Sequence, residues 1–251
     1  MRALALILAL CTAGPALSQT ITSAEYIKPT DVYPHGILGD AIEHKSFRAT
    51  LSTGGTITVN WGPNIVFEDT APRLIDMDGD RRPEVVVVET HVDRGARLSV
   101  WALAPTNAGS NKLVRTASTP FIGRRFRWLA PIGATDLDGD GVIEVAYIDR
   151  PHLAKTLRVW RYVPQTDAGP VLEDGASLTE VASLAGLTNH RIGERDIAGG
   201  IRNCGNGPEM ITANTDWSHI MATTYQNDQL KTRAIAPHQS RADFTTALNC
   251  P

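Results

Sequence analysis

The sequence lacks a strong excess of charge and, after its first residues, any long apolar run. Of its 251 residues, 24 are Lys or Arg and 27 are Asp or Glu, which gives a formal charge of −3 at pH 7. We find no run of Lys or Arg, so nucleic acid is not an expected partner. No later stretch approaches ~20 apolar residues, and we therefore expect no transmembrane segment. The composition, 42% hydrophobic and 20% charged, is that of a globular chain.

The first residues have the features of a secretory signal peptide. They combine a charged first dipeptide, a short apolar segment and a small-x-small end at 16–18. We predict a leader over 1–18, cleaved after Ser18, and a periplasmic or secreted protein. A lipoprotein signal at Cys11 is the less favoured alternative, because the large Leu10 precedes that cysteine.

Cysteine is scarce, with three residues in the whole sequence. Cleavage of the leader would remove Cys11 and leave Cys204 and Cys250 in an oxidising compartment, where a lone pair normally forms a disulfide. We predict that bond, with two free buried thiols as the alternative.

A repeat runs through the middle of the chain. The segment from Arg73 to Val88 returns as the segment from Gly133 to Ile148, displaced by 60 residues. Two weaker copies are assigned around Asp196 and around Asp40. In every copy an aromatic residue follows a glutamate after 16 to 18 residues; these aromatic residues are Trp61, Trp101, Trp160 and Tyr225.

Short β-branched or alternating runs separated by Gly, Pro, Asn and Asp lie between these marks, and no window has a long helical period. Units of this length with about four short antiparallel strands each predict an all-β chain, folded as a small β-propeller of about four blades, with five as an alternative. The predicted single domain, 19–251, has units near 30–70, 71–127, 128–188 and 189–240 and a C-terminal tail. The tryptophans are expected in the core between blades.

Two loops in the clear repeats each carry four carboxylates within nine residues: Asp76, Asp78, Asp80 and Glu84, and Asp136, Asp138, Asp140 and Glu144. Like charges about 4 Å apart repel by roughly 4 kcal/mol at an effective dielectric constant near 20, so such a loop needs a cation. Calcium fits best, because it accepts six to eight oxygen ligands in flexible geometry. Magnesium would keep more water, and zinc would need His or Cys, which neither loop contains.

The two loops, each followed directly by an apolar strand, resemble the FG-GAP/VCBS repeats of integrin α-chain-like β-propellers, whose pattern is similar to D-x-D-G-D-G-x-x-D. In that family the first, third, fifth and ninth residues and a seventh-position carbonyl bind calcium. The resemblance implies two calcium ions. Their expected ligands are Asp76, Asp78, Asp80, Arg82 and Glu84 in one loop, and Asp136, Asp138, Asp140, Val142 and Glu144 in the other.

The loops depart from the family pattern in two ways. Both have Glu at the ninth position, where the family usually has Asp, and Arg81 replaces a glycine. A non-glycine residue at positive φ costs about 1–2 kcal/mol, so we expect the loop at 136–144 to bind more tightly. The copies around Asp196 and Asp40 have lost carboxylates and are not expected to bind calcium.

Few other residues suggest a site. The seven histidines have no metal-ligand spacing, and no Gly-x-Ser-x-Gly elbow occurs. His91 and His152 are expected to be exposed turn residues. The glycine-rich segment Gly199–Pro208 is interpreted as a disulfide-anchored turn, with close approach to a ligand as the alternative.

From these features we predict an exported, calcium-stabilised β-propeller that acts as a non-catalytic interaction or structural module, with an unidentified protein or glycan as its partner. The alternatives are a carbohydrate-active enzyme of the glycoside hydrolase or lyase type and a small lectin. A pocket with two carboxylates roughly 5–9 Å apart, outside the acidic loops, would favour the enzyme.

Overall fold

The computed structural model describes residues 19–166 and 169–250, so the predicted leader and Cys11 lie outside the described residues. The chain is all-β apart from one short helix, which confirms the predicted class. Its elements are β1 (Ile21–Thr30), β2 (Glu43–Leu51), β3 (Thr56–Asn60), β4 (Ile65–Phe67), β5 (Arg73–Ile75), β6 (Glu84–His91), β7 (Gly95–Pro105), β8 (Asn111–Ser118), β9 (Leu129–Thr135), β10 (Glu144–Asp149), β11 (Thr156–Val163), β12 (Ser177–Ala185), β13 (Leu187–Thr188), β14 (Gly200–Asn203), β15 (Pro208–Asn214), β16 (His219–Gln226), β17 (Gln229–Pro237) and α1 (Ala242–Leu248).

The strands form four consecutive antiparallel units. In the second unit, β4 and β5 pair one after the other with β6, and β7 and β8 follow. The third unit is β9 to β12 in order, and in the fourth β13 and β14 share β15, followed by β16 and β17. The first unit contains β1, β2 and β3 and is hydrogen-bonded to the second through β2 and β4. These two units together form an eight-stranded, curled half-barrel.

The core lies between the units. Because successive side chains of a strand point to opposite faces, one strand contributes residues to two hydrophobic clusters. Along β6, Val85 and Val87 face the inside of the half-barrel, whereas Val86 and Val88 face the third unit. All four are at most 2% exposed. A strand buried on both faces reads as a continuous apolar run, as this one does. Trp101 and Trp160 are 7% and 8% exposed within these clusters, which confirms their predicted core positions, whereas Trp61, predicted with them, is half-buried and packs against the edge of the half-barrel core.

The described residues do not show a closed propeller of four blades. The third unit packs on the fourth around Ile148 and Met210. The other face of the fourth sheet is covered by α1 through Phe244 and Ala247, where the first unit would stand in a closed ring. The first and fourth units meet through loops, where Gly193 N donates to the carbonyl of Ile37 at 3.0 Å.

A disulfide joins Cys204 and Cys250, as predicted, with their Cα atoms 5.5 Å apart. It ties the turn after β14 to Cys250, two residues beyond the end of α1, and so holds the helix on the fourth sheet. The segment Gly199–Pro208 therefore contains a short strand and a disulfide-anchored turn. No helix among the described residues is long and apolar enough to span a membrane.

Candidate metal centre

The two acidic loops occupy the same place in consecutive units, between the first strand and the strand that follows it. Residues 76–83 connect β5 to β6, and residues 136–143 connect β9 to β10. In each loop three carboxylate oxygens lie within 4.8 Å of one another; the two triads are Asp76, Asp78 and Glu84, and Asp136, Asp138 and Glu144. Calcium binds oxygen at about 2.3–2.6 Å, so ligands on opposite sides of one ion are about 5 Å apart. Each triad could therefore hold a metal ion.

The first aspartate of each loop shapes the turn. Asp76 accepts hydrogen bonds from Gly79 N at 2.8 Å and Arg81 N at 2.9 Å. Asp136 accepts the equivalent bonds from the amides of residues 139 and 141, at 2.7 and 2.9 Å. The backbone at this last position is left-handed in both loops, with φ of 67° at Arg81 and 89° at Gly141. The expected strain at Arg81 is therefore present.

The ninth residue of each loop is a buried glutamate. Glu84 and Glu144 are 5% and 0% exposed, and each accepts a hydrogen bond from the amide of the second loop residue, Met77 or Leu137, at 2.8 and 3.0 Å. Burial raises the pKa of Glu84 to about 8, and the charges of the neighbouring aspartates add to the increase. Burial also raises the pKa of Glu144. A carboxylate in such a place requires a proton or a cation.

The fifth residue of each loop lies outside the triads. Asp80 accepts a hydrogen bond from Arg82 N at 2.7 Å and another from its guanidinium Nε at 2.7 Å. Asp140 accepts a hydrogen bond from Val142 N at 2.8 Å. The structure thus gathers six of the eight predicted carboxylate ligands and shows the seventh-position residues, Arg82 and Val142, as amide donors to the other two.

Arg161 on β11 is a site residue that the sequence analysis missed. Its guanidinium lies 2.7 Å from Asp138, 3.1 Å from Asp140 and 2.7 Å from Glu144. The strand register explains this contact, because Glu144 pairs directly with Arg161. In the second unit Val85 pairs with Trp101 as Val145 pairs with Trp160, so the position of Arg161 is held there by Ala102.

The assignment of Asp196 as the first residue of a degenerate acidic loop in the fourth unit was wrong. Asp196 lies between β13 and β14 and pairs with Arg241 at 2.8 Å. The turn at the place of the acidic loops is 204–207, which carries Cys204.

Glu209, the second residue of β15, holds the position of Glu84 and Glu144 in the fourth unit. Arg202 donates to it at 2.7 and 2.9 Å, and Arg233 donates to it as well. Burial alone would raise its pKa, but the two arginines outweigh burial and lower it. A disulfide and two arginines therefore stand where the other units have an acidic triad.

No protein-family model matches the chain, and a search of curated proteins found no significant match. The resemblance to FG-GAP/VCBS repeats thus depends on the two loops and on the strands that they join.

Proposed function

We propose that the protein is an exported, calcium-stabilised module of the FG-GAP/VCBS-like β-propeller type, which binds a protein or glycan partner without catalysing a reaction. The observation that carries this proposal is the recurrence of an acidic triad at the same turn of consecutive units. A single acidic cluster is common on protein surfaces, whereas a pair at equivalent positions points to one repeated structural requirement.

The donor set favours calcium over other divalent ions. Both triads consist of carboxylate oxygens, without His or Cys, as expected for a hard cation. One member of each triad is a buried glutamate held by a main-chain N–H, so that the ion would be anchored to the start of β6 and of β10. Held there, calcium would tie the loop to the strand behind it, which is a structural role.

One pair of carboxylates at a cavity outside the loops favours binding over catalysis there. A cavity of about 200 Å³ between the second and third units is lined by Asp149 and Glu180. Both are hydrogen-bonded to Arg158, at 3.0 and 2.7 Å. A glycoside hydrolase needs one carboxyl group free to deliver a proton, and these two carboxylates are already engaged in ion pairs.

The same cavity favours a glycan as a candidate partner. Phe121, Tyr147 and Trp160 line it beside the ion-paired groups. Aromatic side chains next to fixed hydrogen-bonding groups offer a sugar both an apolar surface and polar contacts. A glycan array probed with wild-type protein and with Phe121→Ala tests this candidate, because Phe121 is half-buried whereas Tyr147 and Trp160 belong to the core. Binding unaffected by that substitution would remove the cavity from consideration.

Thermal unfolding in EDTA, in millimolar magnesium and in millimolar calcium tests the metal assignment. An ion that binds only the folded state adds about 2.7 kcal/mol per site at a hundredfold excess over its dissociation constant. We expect calcium to raise the melting temperature strongly and magnesium weakly. The double variant Asp76→Asn/Asp136→Asn should lose the response, and Asp93→Asn, in an exposed turn away from the triads, should keep it. Equal melting temperatures in EDTA and calcium would reject the assignment.

A further inference from the structure

Loops from all four units converge on a cavity of about 290 Å³. The loop between β1 and β2 contributes His35 and Ile37, the β8–β9 connection contributes 126–128, the turn after β10 contributes 150–153, and the β13–β14 connection contributes Ile192. This cavity lies at the opposite end of the third sheet from the acidic loop. The two ends of β10 are roughly 17 Å apart, at about 3.3 Å per residue. The cavity is therefore independent of the metal triads.

The interior of the cavity is apolar and its rim exposes apolar side chains. Trp128 and Ile37 are 2% and 6% exposed and form part of the wall, together with Phe126. At the rim, Leu153 is 63% exposed and Ile192 is 70% exposed, more than any other large hydrophobic residue in the described ranges. An apolar cavity with an exposed apolar rim is typical of a site that an apolar ligand body covers.

The charged groups at the cavity are basic. None of its lining residues is a carboxylate, and Arg127, which lines it, has no carboxylate partner within 19–166 and 169–250. Arg127 donates to the carbonyl of Phe126 at 2.7 Å, a bond that leaves its positive charge uncompensated. Arg124 and Arg125 precede it, so this segment is the short arginine run that the sequence analysis did not recognise.

His35 presents one ring nitrogen to the cavity in a fixed orientation. Its Nδ1 is hydrogen-bonded to Glu68, which is fully buried and also accepts a hydrogen bond from Thr90 Oγ1 at 2.7 Å. Trp128 Nε1 donates to the carbonyl of Glu68 at 2.7 Å, which couples the cavity wall to the same residue. The ring nitrogen of His35 that remains for a ligand is Nε2. Burial raises the pKa of Glu68, which favours a proton held between Glu68 and Nδ1 of His35; with that proton present, Nε2 carries its own hydrogen and can donate it to a ligand.

His152 adds an uncharged imidazole. The sequence predicted an exposed turn residue, but His152 is half-buried and lies 3.1 Å from His190, between Nε2 and Nδ1. Burial lowers the pKa of His152 to about 4, and the neighbouring His190 contributes to this decrease. Among the described residues that line the cavity, the arginine without a carboxylate partner is therefore Arg127, since Arg150 pairs with Asp149.

We propose that this cavity binds a small organic anion with an aromatic or short aliphatic body. Its anionic group is held by Arg127 and by Nε2 of His35, and its apolar body lies against Trp128 under Leu153 and Ile192. The volume is at the lower end of the range of ligand pockets, about 300–1,000 Å³, which limits the body to about one ring. The proposal goes beyond the metal-stabilised module, because no residue of this cavity belongs to an acidic loop.

Calorimetry and saturation-transfer NMR with phenylacetate, hexanoate, phenyl phosphate and the neutral phenylacetamide test the proposal on the mature chain in calcium. We expect saturable binding of at least one anion and weaker binding of the amide. Arg127→Gln should weaken anion binding roughly tenfold or more, as expected for a lost charge-assisted hydrogen bond. Ile192→Glu should abolish it by placing a negative charge at the rim.

Matched controls separate this site from general effects of charge or folding. Arg48→Gln removes an exposed arginine of the first unit, and Leu172→Glu places the same acidic group at an exposed apolar position distant in sequence from the cavity segments. Both variants should bind as the wild type does. The proposal is overturned if no anion binds, if binding survives both cavity variants, or if the amide binds equally well. Association with anionic lipid vesicles in the absence of any free-anion binding would also overturn it. Because no cavity residue belongs to an acidic loop, the interpretation of these binding measurements does not depend on whether calcium raises the melting temperature.

Discussion

The loops at 76–84 and 136–144 have the same nine-residue pattern and nearly the same backbone. They differ in the groups that offset the negative charge of their carboxylates. In the third unit, Arg161 contacts Asp138, Asp140 and Glu144. In the second unit the equivalent strand position is Ala102, and the arginine of that loop, Arg82, pairs with Asp80, which lies outside the triad. Arg161 thus pairs with two carboxylates of the triad at 136–144, and we expect it to compete with a metal ion there more strongly than Arg82 does in the loop at 76–84.

This comparison changes the order of affinity expected from sequence. Arg81 at positive φ still destabilises the folded conformation of the loop at 76–84 by about 1–2 kcal/mol. Against this, a metal ion that enters the loop at 136–144 must displace the guanidinium of Arg161, which contacts three carboxylates of that loop. The fourth unit extends the series, because Arg202, Arg233 and a disulfide hold its turn. The three turns thus combine acidic triads, arginine side chains and a covalent bond in different ways.

The largest effect is expected at the turn that needs no ion. Replacing Cys204 and Cys250 by serine should cost on the order of 4 kcal/mol, from the chain entropy of a loop of this size. Because no carboxylate triad is involved, the loss should be the same in EDTA and in calcium. Chemical denaturation of the oxidised wild type and the double variant in both buffers measures it. A loss that appears in only one buffer would show that the disulfide and the metal loops are coupled.

Removing the internal cation should have the next largest effect. In EDTA, Arg161→Met leaves the buried Glu144 without its ion pair and should cost about 3 kcal/mol, less than for a fully buried pair because Arg161 is 25% exposed. Calcium should restore most of this loss and should bind more tightly than to the wild-type loop. The control is Arg48→Met, which breaks a surface pair with Glu25 and should cost under about 1 kcal/mol. An Arg161 variant with unchanged calcium affinity would refute the competition.

The two loops should differ in their calcium dependence. Asp78→Ala should remove up to about 2.7 kcal/mol of stabilisation at a hundredfold excess of calcium, and Asp138→Ala should remove less, because Arg161 already offsets part of the charge there. Calcium titrations of the two variants by calorimetry decide the order. If Asp138→Ala loses more of the calcium response, the glycine at 141 outweighs Arg161, as the sequence alone suggested.

The stability of the metal-free protein should fall as pH rises. Glu84 has a pKa of about 8 in the fold against an ordinary value of 4.5, so the folded state holds its proton more tightly than the unfolded chain does. The stabilisation is complete below 4.5 and is lost towards pH 8, with a slope of up to about 1.4 kcal/mol per pH unit. Glu43, whose pKa burial and Glu68 raise to about 9, adds a contribution of the same sign that calcium does not remove. Urea unfolding between pH 5 and 8 should show the free energy of unfolding falling with pH. The contribution of Glu84 to that fall should disappear in calcium and in the Glu84→Gln variant. A slope insensitive to both would mean that Glu84 is not the titrating group.

The smallest effect is expected from relieving backbone strain. Arg81→Gly should stabilise the second loop by about 1 kcal/mol, because glycine accepts the φ of 67° without steric cost. The substitution also gives the loop the glycine found at 141. The reverse substitution, Gly141→Arg, should destabilise the loop at 136–144 by a similar amount. Thermal unfolding should therefore show shifts in melting temperature of opposite sign for the two variants.

Local chemistry alone determined several features of this protein. Four carboxylates in nine residues, a glycine at 79 or 139, and an apolar run after the last acid suffice to predict a loop that needs a cation, because all of these interactions lie close in sequence. The all-β class followed from short strands and turn residues, and the disulfide followed from a lone pair of cysteines. The valine run after Glu84 indicated a strand, and its burial on both faces became evident only in the fold.

Tertiary structure decided the rest, because it depends on which strand lies beside which. Register alone places Arg161 against Glu144 and Ala102 at the equivalent position of the second unit, 17 to 18 residues after the glutamate in both cases. Packing of α1 on the fourth sheet decided that the described units do not close into a ring, and convergence of four distant loops brought His35, Arg127 and Ile192 around one cavity. Contacts between residues so far apart are selected by burial across the whole fold, and no short stretch of sequence contains that information.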